Sequence, residues 1–360
     1  MDRRVSLGDR SYAIAVADSY HHLPRRLNGL GLSSHGWVVS HRSVLSRYGS
    51  AFLEPMRRAG WTLQTIAVPE SESSKSLAMA QRLLRSISRR TSMRVPVLLA
   101  FGGGVIGDLT GFVAAILRRG VPYIQVPTTL LAQVDSAIGG KVGVDVPEGK
   151  NLVGAFYQPR FVYNNISVLR SLPMRQRRSG LAEVIKYGVI ADQRLFAYLE
   201  EHLGECLRLE PRALRVMVER SCAIKAKVVS RDERETRGGR LHLNFGHTLG
   251  HALETAGRYR RWTHGEAIAI GMCAAASLSL ALGRCAASDV RRIIRLIEAA
   301  GLPRRARGVS AHAVRQALRY DKKFVHGRPR WVLPIRIGRV IVTEAVPEPL
   351  VRRVLSAVLQ

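Results

Sequence analysis

Acidic residues are scarce in this chain. Asp and Glu number 27 against 56 Lys and Arg, a formal net charge of +29 over 360 residues. Such a surplus attracts anions, whether small or polymeric. Its layout weighs against a nucleic-acid partner. The basic residues fall in scattered pairs (Arg25-Arg26, Arg57-Arg58, Arg89-Arg90, Arg291-Arg292, Arg352-Arg353), without interleaved aromatics and without one stripe. Small anionic substrates are the expected partners. Lysine is scarcer still, with 8 residues beside 48 Arg. A compact ammonium does not replace a planar guanidinium. Lys75, Lys141, Lys150, Lys186, Lys225, Lys227, Lys322 and Lys323 are therefore candidates for places where only a point charge fits, chance being the alternative. Cysteine is limited to Cys206, Cys222, Cys273 and Cys285, with no C-x-x-C or metal-ligand spacing. That fits free buried thiols in a reduced, cytoplasmic setting. No apolar run reaches the roughly 18 to 20 residues that span a bilayer. Asp2, Arg3 and Arg4 lead into no apolar secretion segment. A membrane role is not expected. Repeats and low-complexity tracts are also missing.

What is present reads as two domains, the default for this length. Residues 11–17 and 61–68, the run ending Val38-Val39-Ser40, Pro96–Phe101 and Val121–Val126 read as strands. A stretch up to about Ala59 and another from Leu77 to Ser88 read as helices between them. Alternating strand and helix signals imply an α/β domain with a Rossmann-like parallel sheet over residues 1–172. Past Pro173 the pattern turns mainly helical: Arg178–Ile190, Gln193–Glu201, Arg212–Val229, His247–Thr255, Gly265–Leu282 and Ala287–Ala300. A small hairpin around Ile337-Gly338 joins 331–333 to 339–343. Residues 173–360 are thus a second, mainly α-helical domain.

The stretch from Gly102 to Asn151 concentrates the chemistry. Gly102-Gly103-Gly104-Val105-Ile106-Gly107 follows a strand, precedes an amphipathic segment and matches G-x-G-x-x-G. Such glycines let backbone and a helix N-terminus approach a pyrophosphate. No acidic residue follows about 20 positions on, so the dinucleotide fingerprint is incomplete; a tight structural turn is the alternative. Asp135, Lys141 and Lys150 add isolated charges. Elsewhere, His247 and His251 lie four residues apart on one helix face, suited to a metal. His264 and Glu183, with Lys186 one turn after Glu183, complete a plausible three-ligand zinc set. Each of these residues alone could equally be a hydrogen-bonded core group.

Taken together, GGGVIGDLTGF, QVPTTLLAQVDSAIGGK, EGKNLVGAFYQP, SGLAEVIKYG, RDERET, LNFGHTLGHALE, HGEA and DKK resemble the 3-dehydroquinate synthase family of sugar phosphate cyclases, over residues from about 65 to 345. The resemblance implies a dehydroquinate synthase-like fold and a carbon–oxygen lyase of the shikimate pathway. It would convert 3-deoxy-D-arabino-heptulosonate 7-phosphate to 3-dehydroquinate and phosphate. A hydroxyl is transiently oxidised with NAD+, phosphate is eliminated, the ketone is reduced again, and ring opening with aldol closure follows. The implied cofactors are NAD+ and Zn2+, with Co2+ the alternative, and the implied assembly is a homodimer. The resemblance assigns the metal to Glu183, His247 and His264, and moves His251 to the leaving phosphate with Lys141, Asn151 and Lys322 or Lys323. Arg119 would reach that phosphate from a neighbouring subunit. Lys225 and Arg240 would hold the substrate carboxylate, and Asp135, Lys186 and Asn244 the ring hydroxyls. NAD+ would draw on Glu72, Lys75, Gly104, Val105, Ile106, Gly107, Asp108, Thr128, Thr129, Lys141, Lys150, Val168, Leu169, Arg170 and Ser171.

Three places depart from the family pattern: Ser40-His41-Arg42, Asn164-Asn165, and Arg237-Gly238-Gly239, which is one residue longer than usual. An aminodehydroquinate synthase would share nearly all these residues. Cyclases acting on substrates without a carboxylate would not need Lys225 and Arg240. A metal-dependent alcohol dehydrogenase has little use for so many phosphate-binding lysines.

Overall fold

The structure, a computed structural model, describes residues 2–90, 95–320, 324–325 and 328–359. The chain divides into two units, the first Met1–Leu172 with Lys225–Glu233, the second Pro173–Ile224 with Arg234–Gln360.

In the first unit the strands are β1 (Arg3–Val5), β2 (Tyr12–Ala17), β3 (His35–His41), β4 (Thr62–Val68), β5 (Val97–Gly102), β6 (Tyr123–Pro127), β7 (Lys141–Val146), β8 (Gly149–Phe156) and β9 (Phe161–Asn165). The helices are α1 (Leu23–Asn28), α2 (Arg42–Arg58), α3 (Leu77–Arg90) and α4 (Gly104–Ile116). Seven strands make one sheet in the order β1-β2-β9-β6-β5-β3-β4. It is parallel from β2 to β4, and β1 pairs with β2 antiparallel. All six residues of β5 are buried, which is why this strand is a continuous apolar run rather than an alternating one. On α3, Ala80, Leu83 and Ile87 form the buried stripe, spaced as one helix face requires.

The direction of winding reverses beside β3. The chain runs outward to β4, returns to β5 on the other flank of β3, and continues to β6. Ligands of open parallel sheets lie beyond the strand C-termini at such a point, here the ends of β3 and β5 at His41 and Gly102. The segment after the glycines is not the amphipathic helix expected. On α4, Ile106, Gly107 and every residue from Leu109 to Ala114 are buried, because β5, β6, β7 and α3 cover it. The β7–β8 hairpin, with a bulge between Val144 and Val146, is a second addition to the sequence reading.

In the second unit the helices are α5 (Met174–Ala191), α6 (Gln193–Glu201), α7 (Leu203–Arg208), α8 (Pro211–Arg231), α9 (His247–Ala256), α10 (His264–Ala281), α11 (Ala287–Ala299), α12 (Ala311–Tyr320) and α13 (Glu348–Val358). Short strand pairs join β10 (Phe324–Val325) to β11 (Arg328–Pro329) and β12 (Trp331–Arg336) to β13 (Arg339–Thr343). Helix α10 is the core, packed by α5, α9, α11, α13 and β12. Among the described residues it alone is long and apolar enough to cross a bilayer, yet its apolar window is 72% buried inside the protein. A core role accounts for its composition.

The end of α8 differs from the sequence reading, which put all of 173–360 in the second domain. Lys225–Glu233 belongs with the first unit. Ser230 Oγ accepts a hydrogen bond from Ser6 N at 2.8 Å, and Lys225 reaches Asp135.

Candidate functional site

The first unit gathers its candidates around the C-terminal end of β5. Gly103 is the N-cap of α4 and offers no side-chain cap. The first intrahelical bond runs from Gly107 N to Gly103 O at 3.0 Å, so the N–H groups of Gly104, Val105 and Ile106 open the helix mouth. This is the arrangement that favours an anion. Thr128, buried, donates its backbone N–H to Gly102 O at 2.9 Å. Thr129 Oγ1 accepts from Ala132 N at 3.2 Å and starts the next helical turn.

Lys75 lies at the centre of a polar knot. Its ammonium donates to Asp108 Oδ2 and to Asn151 Oδ1, and it is almost wholly buried. Burial opposes its charge, but the Asp108 carboxylate holds the pKa above the usual lysine value. Asn151 stands in the left-handed region with φ 54°, a strained conformation for a non-glycine residue. Asp145 secures it by accepting Asn151 N at 2.9 Å, while Asp145 N donates to Lys75 O at 2.8 Å. Beside the knot, Lys150 pairs with Glu72 at 2.8 Å. Lys141, the first residue of β7, is exposed.

Asp135 receives Lys225 twice. The ammonium donates to the backbone oxygen at 2.7 Å and lies 2.8 Å from Oδ1. A residue expected on ring hydroxyls and one expected on a carboxylate thus form one ion pair, with Lys225 buried and Asp135 half-buried. Val168, Leu169, Arg170 and Ser171 lie in a 3-10 turn capped by Asn165, whose Oδ1 accepts Ser167 N at 3.0 Å. Arg119 is exposed at φ 64° and follows Arg118 at φ 50°. Two successive non-glycine residues in that region store backbone strain.

The second unit builds the metal candidates from three helices. Glu183 is on α5, His247 opens α9, and His264 opens α10. The helices meet where side chains are missing. A Cβ added to Gly271 of α10 would lie 1.9 Å from Gly246 O, just before α9. One added to Gly265 would lie 2.2 Å from Ser179 O on α5. Gly265 N also donates to Ser179 Oγ at 3.1 Å. The first turn of α10 is fixed by a capping box between Thr263 and Glu266. Arg175 grips Glu266 with two hydrogen bonds of 2.9 and 2.8 Å.

Ligand atoms of Glu183, His247 and His264 lie within 4.8 Å of one another. Glu183 Oε1 is 3.6 Å from His247 Nε2 and 3.4 Å from His264 Nε2. Tetrahedral bonds of about 2.0–2.1 Å put neighbouring ligands about 3.3 Å apart, so this spacing suits a shared cation. The His247 ring turns Nε2 toward Glu183, because its Nδ1–H donates to Phe245 O at 3.1 Å. The Glu183 carboxylate is fully buried, and neither oxygen receives a well-directed hydrogen bond, though Lys186 forms an ion pair with Oε2. A buried carboxylate in that condition calls for a cation. The donor set, two imidazoles and a carboxylate, is one that zinc takes with a position left open. Burial works against charging His264, yet the Glu254 and Glu183 carboxylates raise its pKa to about 10. A metal bound at His264 would displace that proton.

His251 lies on the same face of α9 as His247, the rings 5.3 Å apart edge to face. It groups with Glu254 and His264 rather than with Glu183. Spacing alone had paired it with His247 on the metal. Arg240 is buried, and Asn244 Nδ2 reaches Glu235 Oε1 at 3.5 Å. Lys322 and Lys323 lie outside the described residues. Sequence reasoning missed Glu254, Asp145 and the Arg175–Glu266 clamp. The spacing Thr263-x-x-Glu266 is a capping-box signal that could have located the clamp.

Two family descriptions match the chain: 3-dehydroquinate synthase N-terminal over residues 65–179, and 3-dehydroquinate synthase C-terminal over residues 180–324. The chain is 43% identical to a 3-dehydroquinate synthase of Picosynechococcus over 99% of its length and 98% of the relative's. It is 46% identical to one of Pelotomaculum thermopropionicum, covering 98% and 95%. Among solved structures, 2-epi-5-epi-valiolone synthase from Streptomyces hygroscopicus, with NAD+ and Zn2+ bound, superposes with a TM-score of 0.90 at 26% identity, covering 98% of each chain. A 2-deoxy-scyllo-inosose synthase complexed with carbaglucose-6-phosphate, NAD+ and Co2+ gives 0.88 at 25%, covering both chains fully. An iron-containing alcohol dehydrogenase shares the fold, at 0.65 and 14%, covering 96% of this chain and 97% of its own.

Proposed function

The chain belongs to the 3-dehydroquinate synthase family, and we propose that its two residue clusters carry that family's redox-neutral conversion. The substrate is 3-deoxy-D-arabino-heptulosonate 7-phosphate; the products are 3-dehydroquinate and phosphate. The cofactors are NAD+ and a divalent metal, Zn2+ or Co2+, as in the solved relatives. The enzyme acts in the cytoplasm as a homodimer. The first unit is the NAD-binding domain and the second the metal- and substrate-binding domain.

In the first unit, the backbone at Gly104, Val105, Ile106 and Gly107 receives the pyrophosphate, with Asp108, Thr128, Thr129 and the 168–171 turn around the rest of NAD+. Lys75, paired with Asp108, fixes Asn151, which faces the leaving phosphate with Lys141. Lys150 and Glu72, paired at the rim, exchange each other for cofactor hydroxyls. Arg119 contributes to the phosphate of the neighbouring subunit. Lys225 brings positive charge to the substrate carboxylate and positions Asp135.

In the second unit, Glu183, His247 and His264 hold the metal. A metal held by these three residues would supply Lewis acidity toward the substrate alcohol and ketone, and NAD+ would supply the hydride acceptor and donor. Lys186 and Asn244 orient ring hydroxyls, and His251 holds a proton at the leaving phosphate. Arg240, buried and with a planar fork that matches a carboxylate, clamps the carboxylate. Lys322 or Lys323 completes the phosphate contacts.

The observation that carries this reading is the buried Glu183 carboxylate facing two imidazoles at ligand spacing. Purified protein incubated with NAD+, Zn2+ and substrate should release phosphate and dehydroquinate in equal amounts without accumulating NADH. Net NADH production, or no phosphate, would overturn it.

A further inference from the structure

His247 and His264 are oriented by different means. The Nδ1–H of His247 donates to a backbone carbonyl, Phe245 O, at 3.1 Å. Nδ1 of His264 instead faces a side chain, Glu254 Oε2, at 3.4 Å. Glu254 is buried on α9, one turn beyond His251. Its oxygen lies on the opposite edge of the ring from Glu183 Oε1, which is 3.4 Å from Nε2. A carboxylate on one nitrogen of an imidazole fixes the tautomer and raises the basicity of the other. The backbone of His264 is separately fixed by the capping box and the Arg175 clamp. What remains to be set is rotation of the ring, and the group placed to set it is Glu254.

We propose that Glu254 is the positioning residue for His264, holding Nδ1–H so that Nε2 points at Glu183 and His247. The inference rests on the reading of Glu183, His247 and His264 as the metal set. Its effect is on metal retention, which can be measured without turnover.

The test compares Glu254→Gln, Glu254→Ala and Glu183→Gln with the unaltered protein. Zinc dissociation constants come from chelator competition, zinc per chain from metal analysis, and NAD+ affinities from titration of the metal-free proteins. Glu254→Ala should weaken zinc by roughly 10–100-fold. Glu254→Gln, which keeps an acceptor but loses the charge, should weaken it less, by about tenfold or under. Both should leave NAD+ affinity unchanged. If Glu254→Ala does not fold, the isosteric Gln variant carries the test. Unaltered zinc affinity in the Glu254 variants, with Glu183→Gln weakened, overturns the proposal and leaves the metal set standing. Unaltered affinity in all three overturns the metal reading itself. A loss of NAD+ affinity alongside zinc affinity in Glu254→Gln would make Glu254 a packing residue. Two zinc ions per chain, reduced to one in Glu254→Ala, would make it a ligand. Either result overturns the positioning role.

Discussion

Asp192 serves two structures at once. Its carboxylate caps α6 by accepting Leu195 N at 3.0 Å, and it accepts Arg220 of α8 in two bonds of 2.8 Å. Burial would raise its pKa, but Arg220 and the cap hold it below the usual carboxylate value. A group depressed in the folded state contributes stability above its unfolded pKa and loses it as pH falls through the folded one. Asp192→Ala should therefore lower the unfolding temperature at pH 7 and lose that difference progressively as pH falls below the usual carboxylate range. The size at neutral pH should be about 1–2 kcal/mol, the cost of a lost cap, since the partly exposed Arg220 adds little more. A difference that persists unchanged in acid would show that the charge is irrelevant.

At the scale of elements, the glycine contacts of α10 decide whether Glu183, His247 and His264 meet. Gly271→Ala drives a methyl group against a backbone oxygen, not a flexible side chain. Overpacking of this kind costs about 3 kcal/mol or more where nothing can yield. The variant should unfold earlier in denaturant and also bind zinc more weakly, because His247 follows Gly246 directly. A variant with wild-type stability would mean that α9 and α10 can slide. These contacts also mark the limit of what the sequence disclosed. Helix α6 was legible to its ends, and α5, α8, α9, α10 and α11 to within a few residues, because apolar periodicity is local information. The β3–β5–β6 strands and the glycine mouth of α4 were legible for the same reason. What stayed hidden depends on tertiary partners. Continuous burial made α4 look different from an amphipathic helix only once the sheet and β7 were in place. Lys225 could be identified as unusual in an arginine-rich chain, but not as the partner of Asp135, 90 residues away. Glu254 stood inside a conspicuous motif, and only the approach of α10 gave it His264.

For the whole molecule, the surplus of +29 has a kinetic meaning once the substrate is a small polyanion. Surface charge of one sign raises the local concentration of its counter-ion and accelerates encounter, and salt screens this within about 10 Å at 0.1 M. Raising NaCl from about 0.05 to 0.5 M should increase the KM for the sugar phosphate several-fold with little change in kcat. A KM indifferent to salt would assign the surplus charge to some other purpose. The meeting of α5, α9 and α10 has a consequence of its own. Their separation is fixed by main chain resting on main chain, at Gly271 on Gly246 and Gly265 on Ser179. Side chains elsewhere in the core act as filling rather than as spacers. Leucines and valines around α10 can then be exchanged over generations, or in a redesigned enzyme, while the ligand geometry keeps its gauge.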